Sequence, residues 1–159
     1  MTQVNEPGLG SEALEVLGVV ERFAREEVRP LGTLLDELHD PDDVIATDSR
    51  LWSLHEKYRG LGIDQTSMAG TFEPAELSLL SARITETLGW ADAGLAVSLA
   101  VSGFHKFFVP LTGDPELTER YMAEGAAEIG CWAITEPDHG SDSLGFSEPH
   151  WTRADIRPN

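Results

Sequence analysis

The sequence is poor in positive charge and in cysteine. Its 159 residues hold 11 Lys and Arg against 28 Asp and Glu, a formal net charge of −17. A surface of that sign repels phosphate backbones and anionic headgroups, which argues against nucleic acid and against polybasic docking to membranes as partners. One cysteine, Cys131, excludes an internal disulfide framework, a cysteine-based zinc cluster and a CxxC redox site, and it fits a reducing compartment. Met1 to Gly10 carries neither a basic cluster nor an apolar core, so no signal peptide is read there. Long hydrophobic runs are missing too. The longest uncharged stretch, Ala93 to Phe104, has 12 residues, whereas a membrane span takes roughly 20. No internal repeat and no low-complexity tract is present. The expectation is a soluble, cytoplasmic chain of one domain, or one and a fraction.

What is present suffices for a core. Hydrophobic residues make up 41% and charged residues 25%, an ordinary globular balance that argues against disorder. The first three-quarters read as helix. Ser11 can cap a helix in which Leu17, Val20, Ala24 and Val28 share one face, widened by Val16, Val19 and Phe23. Glu15, Glu21, Arg22, Arg25 and Glu26 then face water. Pro30 ends or kinks this helix, having no backbone donor, and the pattern can resume through Leu31, Leu34, Leu35 and Leu38. His39 to Asp43 reads as a loop. Asp48 can cap a short helix holding Leu51, Trp52, Leu54 and Tyr58, stopped by Gly60 and Gly62. A third helix starts near Pro74 and carries Leu77, Leu80, Ile84 and Leu88 to a stop at Gly89. A fourth, from Asp92 to Phe108, is apolar nearly all round and reads as the buried central member of a bundle. Asp114-Pro115 opens a fifth through Tyr121 and Met122.

The character changes after residue 127. Ile129 to Thr135 is short and apolar on both faces, closer to a buried strand than to a helix. Glu136 to Pro149 is a polar loop with Gly and Pro. Thr152, Ala154 and Ile156 then alternate with Arg153 and Asp155 as a half-buried strand does. Two strands alone are marginal in water, so this tail reads as the opening of a sheet whose remainder lies outside the chain. The expected division is a helical domain over 1–127 and an incomplete β domain over 128–159.

One stretch is chemically dense: Ala133-Ile134-Thr135-Glu136-Pro137-Asp138-His139-Gly140-Ser141-Asp142. A strand running into a loop with adjacent Gly140 and Ser141 can aim N–H groups and a hydroxyl at an anion. On spacing alone, a polar hairpin loop is the commoner outcome. The stretch resembles the signature of the acyl-CoA dehydrogenase family at Ala133, Ile134, Thr135, Glu136, Gly140, Ser141, Asp142 and Gly145, and departs from it at His139, a position that is normally small. Phe23 to Pro30 resembles that family's first helix, Gly60-Leu61-Gly62-Ile63 its glycine turn, and Glu128-Ile129-Gly130 and Thr152-Arg153-Ala154 the flanks of its signature strand.

The resemblance implies a mainly α fold: a helical bundle of acyl-CoA dehydrogenase type followed by the first strands of a truncated β domain. It implies FAD-dependent α,β-dehydrogenation of an acyl-CoA thioester. Trp132, Ala133, Ile134 and Thr135 would line the flavin, and Gly140 and Ser141 would meet the FAD pyrophosphate, with Ser141 also reaching the acyl-CoA. His139 would pair with a phosphate or turn to solvent. No acidic residue matches the family's catalytic base, so no catalytic residue is assigned. FAD would be held only once a protein partner or a missing C-terminal region supplied the second wall. The other reading is a non-catalytic helical interaction module or partner subunit without flavin, with oligomer formation open. His39 with Asp40, Asp42 and Asp43 matches no metal-loop spacing and reads as a solvated turn. His105 reads as a partly buried, hydrogen-bonded core histidine, and His55, Glu56 and Lys57 as a helix surface.

Overall fold

Apolar residues recurring at helical spacing do produce helices here, eight α-helices among the described residues. The computed structural model describes residues 8–63, 68, 70–123 and 128–131. They form α1 (Ser11–Phe23), α2 (Arg29–Asp36), α3 (Pro41–Val44), α4 (Arg50–Gly60), α5 (Pro74–Ala91), α6 (Ala93–Val101), α7 (His105–Thr112) and α8 (Pro115–Met122).

The first amphipathic stripe is realised as read: Leu17, Val20, Ala24 and Val28 are all buried. Pro30 does not stop the helix. A π turn over Ala24–Val28 joins α1 to α2, and the Arg29 N–H reaches back to the carbonyl of Ala24 rather than to that of Arg25. Widening the turn just ahead of a proline accommodates a residue that has no N–H and crowds the carbonyl four positions back.

Helix α5 is the centre. It packs against α1, the π turn and α6, and its Leu80, Ile84 and Leu88 are buried. Leu80 is fully enclosed, worth about 1.5–3 kcal/mol relative to an exposed leucine. Gly89 does not end α5, which continues to Ala91 and turns at Asp92. There the Asp92 carboxylate accepts from the Leu95 N–H at 2.7 Å, capping α6. A Cβ on the buried Gly32 of α2 would run into that same carboxylate, so glycine is needed where α2 crosses the α5–α6 corner. Caps elsewhere follow short polar side chains. Ser49, rather than Asp48, accepts from Leu51 N–H at 3.2 Å and starts α4. Asp114 accepts from the N–H groups of Glu116 and Leu117 at the start of α8. Asp40 caps α3, a short helix where a loop was expected.

The mainly α expectation stands, and the truncated β domain does not. There is no strand among the described residues. Of the expected strand Ile129 to Thr135, the described part, 129–131, is irregular. Ile129 is exposed, and the Gly130 N–H donates to the Ser102 carbonyl at 2.8 Å. A Cβ on Gly130 would lie 2.6 Å from His105 Nδ1 and 3.0 Å from Ser102 O, so this glycine lets the chain press against the α6–α7 corner. A short apolar run does not by itself distinguish a strand from chain packed on a helix end; here the backbone donor goes to a helix corner instead of a sheet ladder. The second expected strand, around Thr152 to Ile156, lies outside the described residues.

Candidate functional site

The segment from Asp92 to Phe108, which reads as the buried central helix of a bundle, is only partly buried. Leu95, Ala96 and Leu99 of α6 turn to the core, but Val97 points outward at 64% exposure. Ser102 to Phe104 breaks the helix, and α7 continues the apolar composition beyond it. Ala93–Thr112 is long and apolar enough to cross a membrane by length and composition, and only 17% of its most apolar stretch is buried.

The outer end of this segment is a helical hairpin. Gly113, at φ 68°, closes α7 in the left-handed conformation that glycine adopts without strain, and Asp114 at once caps α8. The His105 ring, at the start of α7, lies edge-on to Tyr121, near the end of α8, at 6.3 Å, so the two helices run antiparallel. None of the residues in α7 or α8 is buried. Phe107, Phe108 and Leu111 share one face of α7 by their spacing, at 49%, 56% and 80% exposure, and Leu117 of α8 is exposed as well. Exposed charges on the hairpin are Asp114, at the start of α8, and Glu116, Glu119 and Arg120 within it, with exposed Glu128 near the α6–α7 corner.

Beneath that corner lies a small cavity of about 60 Å³, bounded by His55 and Arg59 of α4, Leu99 of α6 and His105 of α7. His55, expected on a helix surface, is 4% exposed. Its Nε2 lies 3.1 Å from Ser98 Oγ, tying α4 to α6. Burial, and then the nearby Arg59 charge, holds its pKa below the usual 6.5. His105 is partly buried as expected, but its Nδ1 has no hydrogen-bond partner among the described residues. His39, Asp42 and Asp43 are exposed. Among the described residues no group of three His, Cys, Asp or Glu is placed to hold a metal. Cys131 is a free, exposed thiol.

The flavin-site residues read from the sequence, Trp132, Ala133, Ile134, Thr135, Gly140 and Ser141, lie outside the described residues, as does His139. Compared with protein-family models, with curated proteins and with solved structures, the chain matches none. The resemblance to acyl-CoA dehydrogenases is therefore corrected: no family model carries it, and the described part of its signature strand is not a strand. A feature the sequence reading missed is the open face of α7. Its signal was present as Phe107, Phe108 and Leu111 at helical spacing, but apolar composition was read as burial.

Proposed function

We propose that this chain is a non-catalytic helical protein-association module, and that the α7 face with the adjoining part of α8 is its docking surface. The observation that carries the reading is the grouping of Phe107, Phe108 and Leu111, 49%, 56% and 80% exposed on one side of one helix, whereas the other strongly exposed apolar side chains, Ile45, Trp90 and Val97, lie in three different segments. Singly exposed hydrophobics are ordinary; two phenylalanines and a leucine together, with Leu117 alongside, are a patch.

The occupant is a protein surface, best a helix, with an apolar centre and a lysine- or arginine-rich rim. Charge complementarity argues for it. The hairpin carries Asp114, Glu116 and Glu119 against Lys106 and Arg120, and the chain carries a net charge of −17. A second copy of this chain or an anionic bilayer would bring like charge to the hairpin. The apolar centre supplies binding energy and the rim supplies orientation and encounter rate.

The test titrates a labelled amphipathic peptide of leucine and lysine against the chain, with a leucine–glutamate peptide and neutral phosphatidylcholine vesicles as the other arms. The reading expects the leucine–lysine peptide alone to bind. It expects the double variant F107S/F108S, which keeps every charge, to weaken that binding roughly tenfold or more while leaving the thermal transition in place. Equal affinity of the double variant would reduce the binding to nonspecific charge attraction and overturn the reading. Co-sedimentation with neutral vesicles would overturn it in favour of membrane insertion of Ala93–Thr112.

A further inference from the structure

A different part of the surface carries a second, independent inference. Arg25 lies in the π turn and Arg29 opens α2, and both guanidinium groups lie over the indole of Trp90, near the end of α5, at 5.0 Å and 4.8 Å. Arg29 also donates to the Trp90 carbonyl at 3.3 Å. With 28 acids for 11 bases, carboxylates are abundant, and Lys57 and Arg83 do take Glu27 and Glu86. Arg25 and Arg29 have no ion-pair partner among the described residues. The indole itself is 51% exposed.

Beside Arg25 and Trp90, between α1 and α5, an open cleft of about 250 Å³ is completed by Glu21, Arg83, Glu86 and Thr87. A guanidinium that lies over an aromatic ring rather than against a carboxylate keeps N–H donors available, and a guanidinium can engage a phosphate in bidentate fashion. The π turn sets Arg25 here, and such turns recur at functional sites. The volume is below the roughly 300 Å³ at which sites for drug-sized ligands begin, which limits the occupant to a small group. Glu21 and Glu86 on the same walls oppose a polyanion.

We infer that this cleft is a binding site for a single phosphate group, free or as the monoester of a small molecule, held by Arg25 on the Trp90 platform, with the Thr87 hydroxyl available as a further donor. The test follows the Trp90 indole N–H resonance of the isotopically labelled full chain, assigned by its loss in W90F. The chain is titrated with inorganic phosphate, with phenyl phosphate, and with sodium chloride at matched ionic strength. The inference expects a saturable shift with phosphate and none with chloride. It expects R25Q to weaken the apparent affinity about tenfold or more, R29Q, which removes a guanidinium on the indole that does not line the cleft, to weaken it less, and R22Q, which removes an exposed arginine of α1 that is not on the indole, to leave it within about twofold. Tighter binding of phenyl phosphate than of inorganic phosphate identifies the monoester as the ligand class; the reverse order identifies free phosphate. An equal response to chloride, or an equal loss in R22Q and R25Q, would overturn the site. Circular dichroism of each variant checks that the loss is one of binding and not of folding.

Discussion

The inner helices α1, α4, α5 and α6 and the outer hairpin α7–α8 draw on the same apolar vocabulary and dispose of it in opposite ways. Val20, Leu80 and Leu99 have 1% or less of their surface exposed, while Phe107, Phe108 and Leu111 keep 49%, 56% and 80%. The inner helices have neighbours on the apolar side: α5 lies against α1, the π turn and α6. The hairpin's helices have mainly each other. Helical spacing of apolar residues therefore establishes a helix in both regions, and only the presence of a second layer decides burial. An apolar face without a layer over it is a surface available to something else.

The contrast breaks most easily by truncation. Leu80→Ala removes a fully enclosed side chain and should cost about 2–5 kcal/mol in urea unfolding, because the hole cannot fully collapse. Leu111→Ala, at 80% exposure, should stay within about 0.5 kcal/mol of the parent chain. Comparable losses at the two positions would mean that the hairpin face is covered in the free protein.

Caps sharpen it at a smaller scale. Asp92→Ala unties the start of α6 inside the core and should cost about 1 kcal/mol of global stability. Asp114→Ala unties α8 and should mainly lose amide protection within that helix, with little change in the unfolding midpoint. Gly32→Ala should cost about as much as Asp92→Ala, since its Cβ displaces the same carboxylate. In the Asp92→Ala background it should cost much less, and strict additivity in the four-member cycle would contradict the shared contact.

Much of this was legible in the residues. The stripe from Leu17 to Val28, the Pro74 start of α5 and the Asp114-Pro115 start of α8 follow from spacing and cap chemistry and occur where read. The continuation through Pro30 was not legible, because proline is ordinarily a helix breaker and the wider i→i−5 turn that accommodates it leaves no residue signature of its own. Ile129 to Cys131 read as strand because a short apolar run carries no period of its own; Gly130 is small for a close approach to the α6–α7 corner. His55 read as surface because its neighbours Glu56 and Lys57 are charged, yet it lies on the Leu51–Leu54 side of α4. The Arg25, Arg29 and Trp90 grouping joins residues 61 or more apart in sequence, and no local pattern announces it.

The smallest expected effect is at the seam between α4 and α6. His55 is held below its usual pKa by burial and then by Arg59, so on acidification the unfolded chain takes up this proton before the folded one does. The neutral ring's contribution is present in full above the unfolded value of 6.5, and it is lost progressively as pH falls below that value toward the folded pKa. The midpoint of thermal unfolding should drop more steeply from about pH 7 to pH 5 in the parent chain than in His55→Gln, which keeps a polar group for Ser98. Parallel curves would remove His55 from the account.

The central claim, an uncovered apolar hairpin on a well-packed helical core, is tested most directly by amide hydrogen exchange with and without the leucine–lysine peptide. In the free chain α1, α5 and the first turns of α6 should exchange slowly and α7–α8 fast; the peptide should slow α7–α8 and leave α1 and α5 unchanged. Slow exchange of α7–α8 in the free chain, or protection that rises everywhere except there, would contradict it.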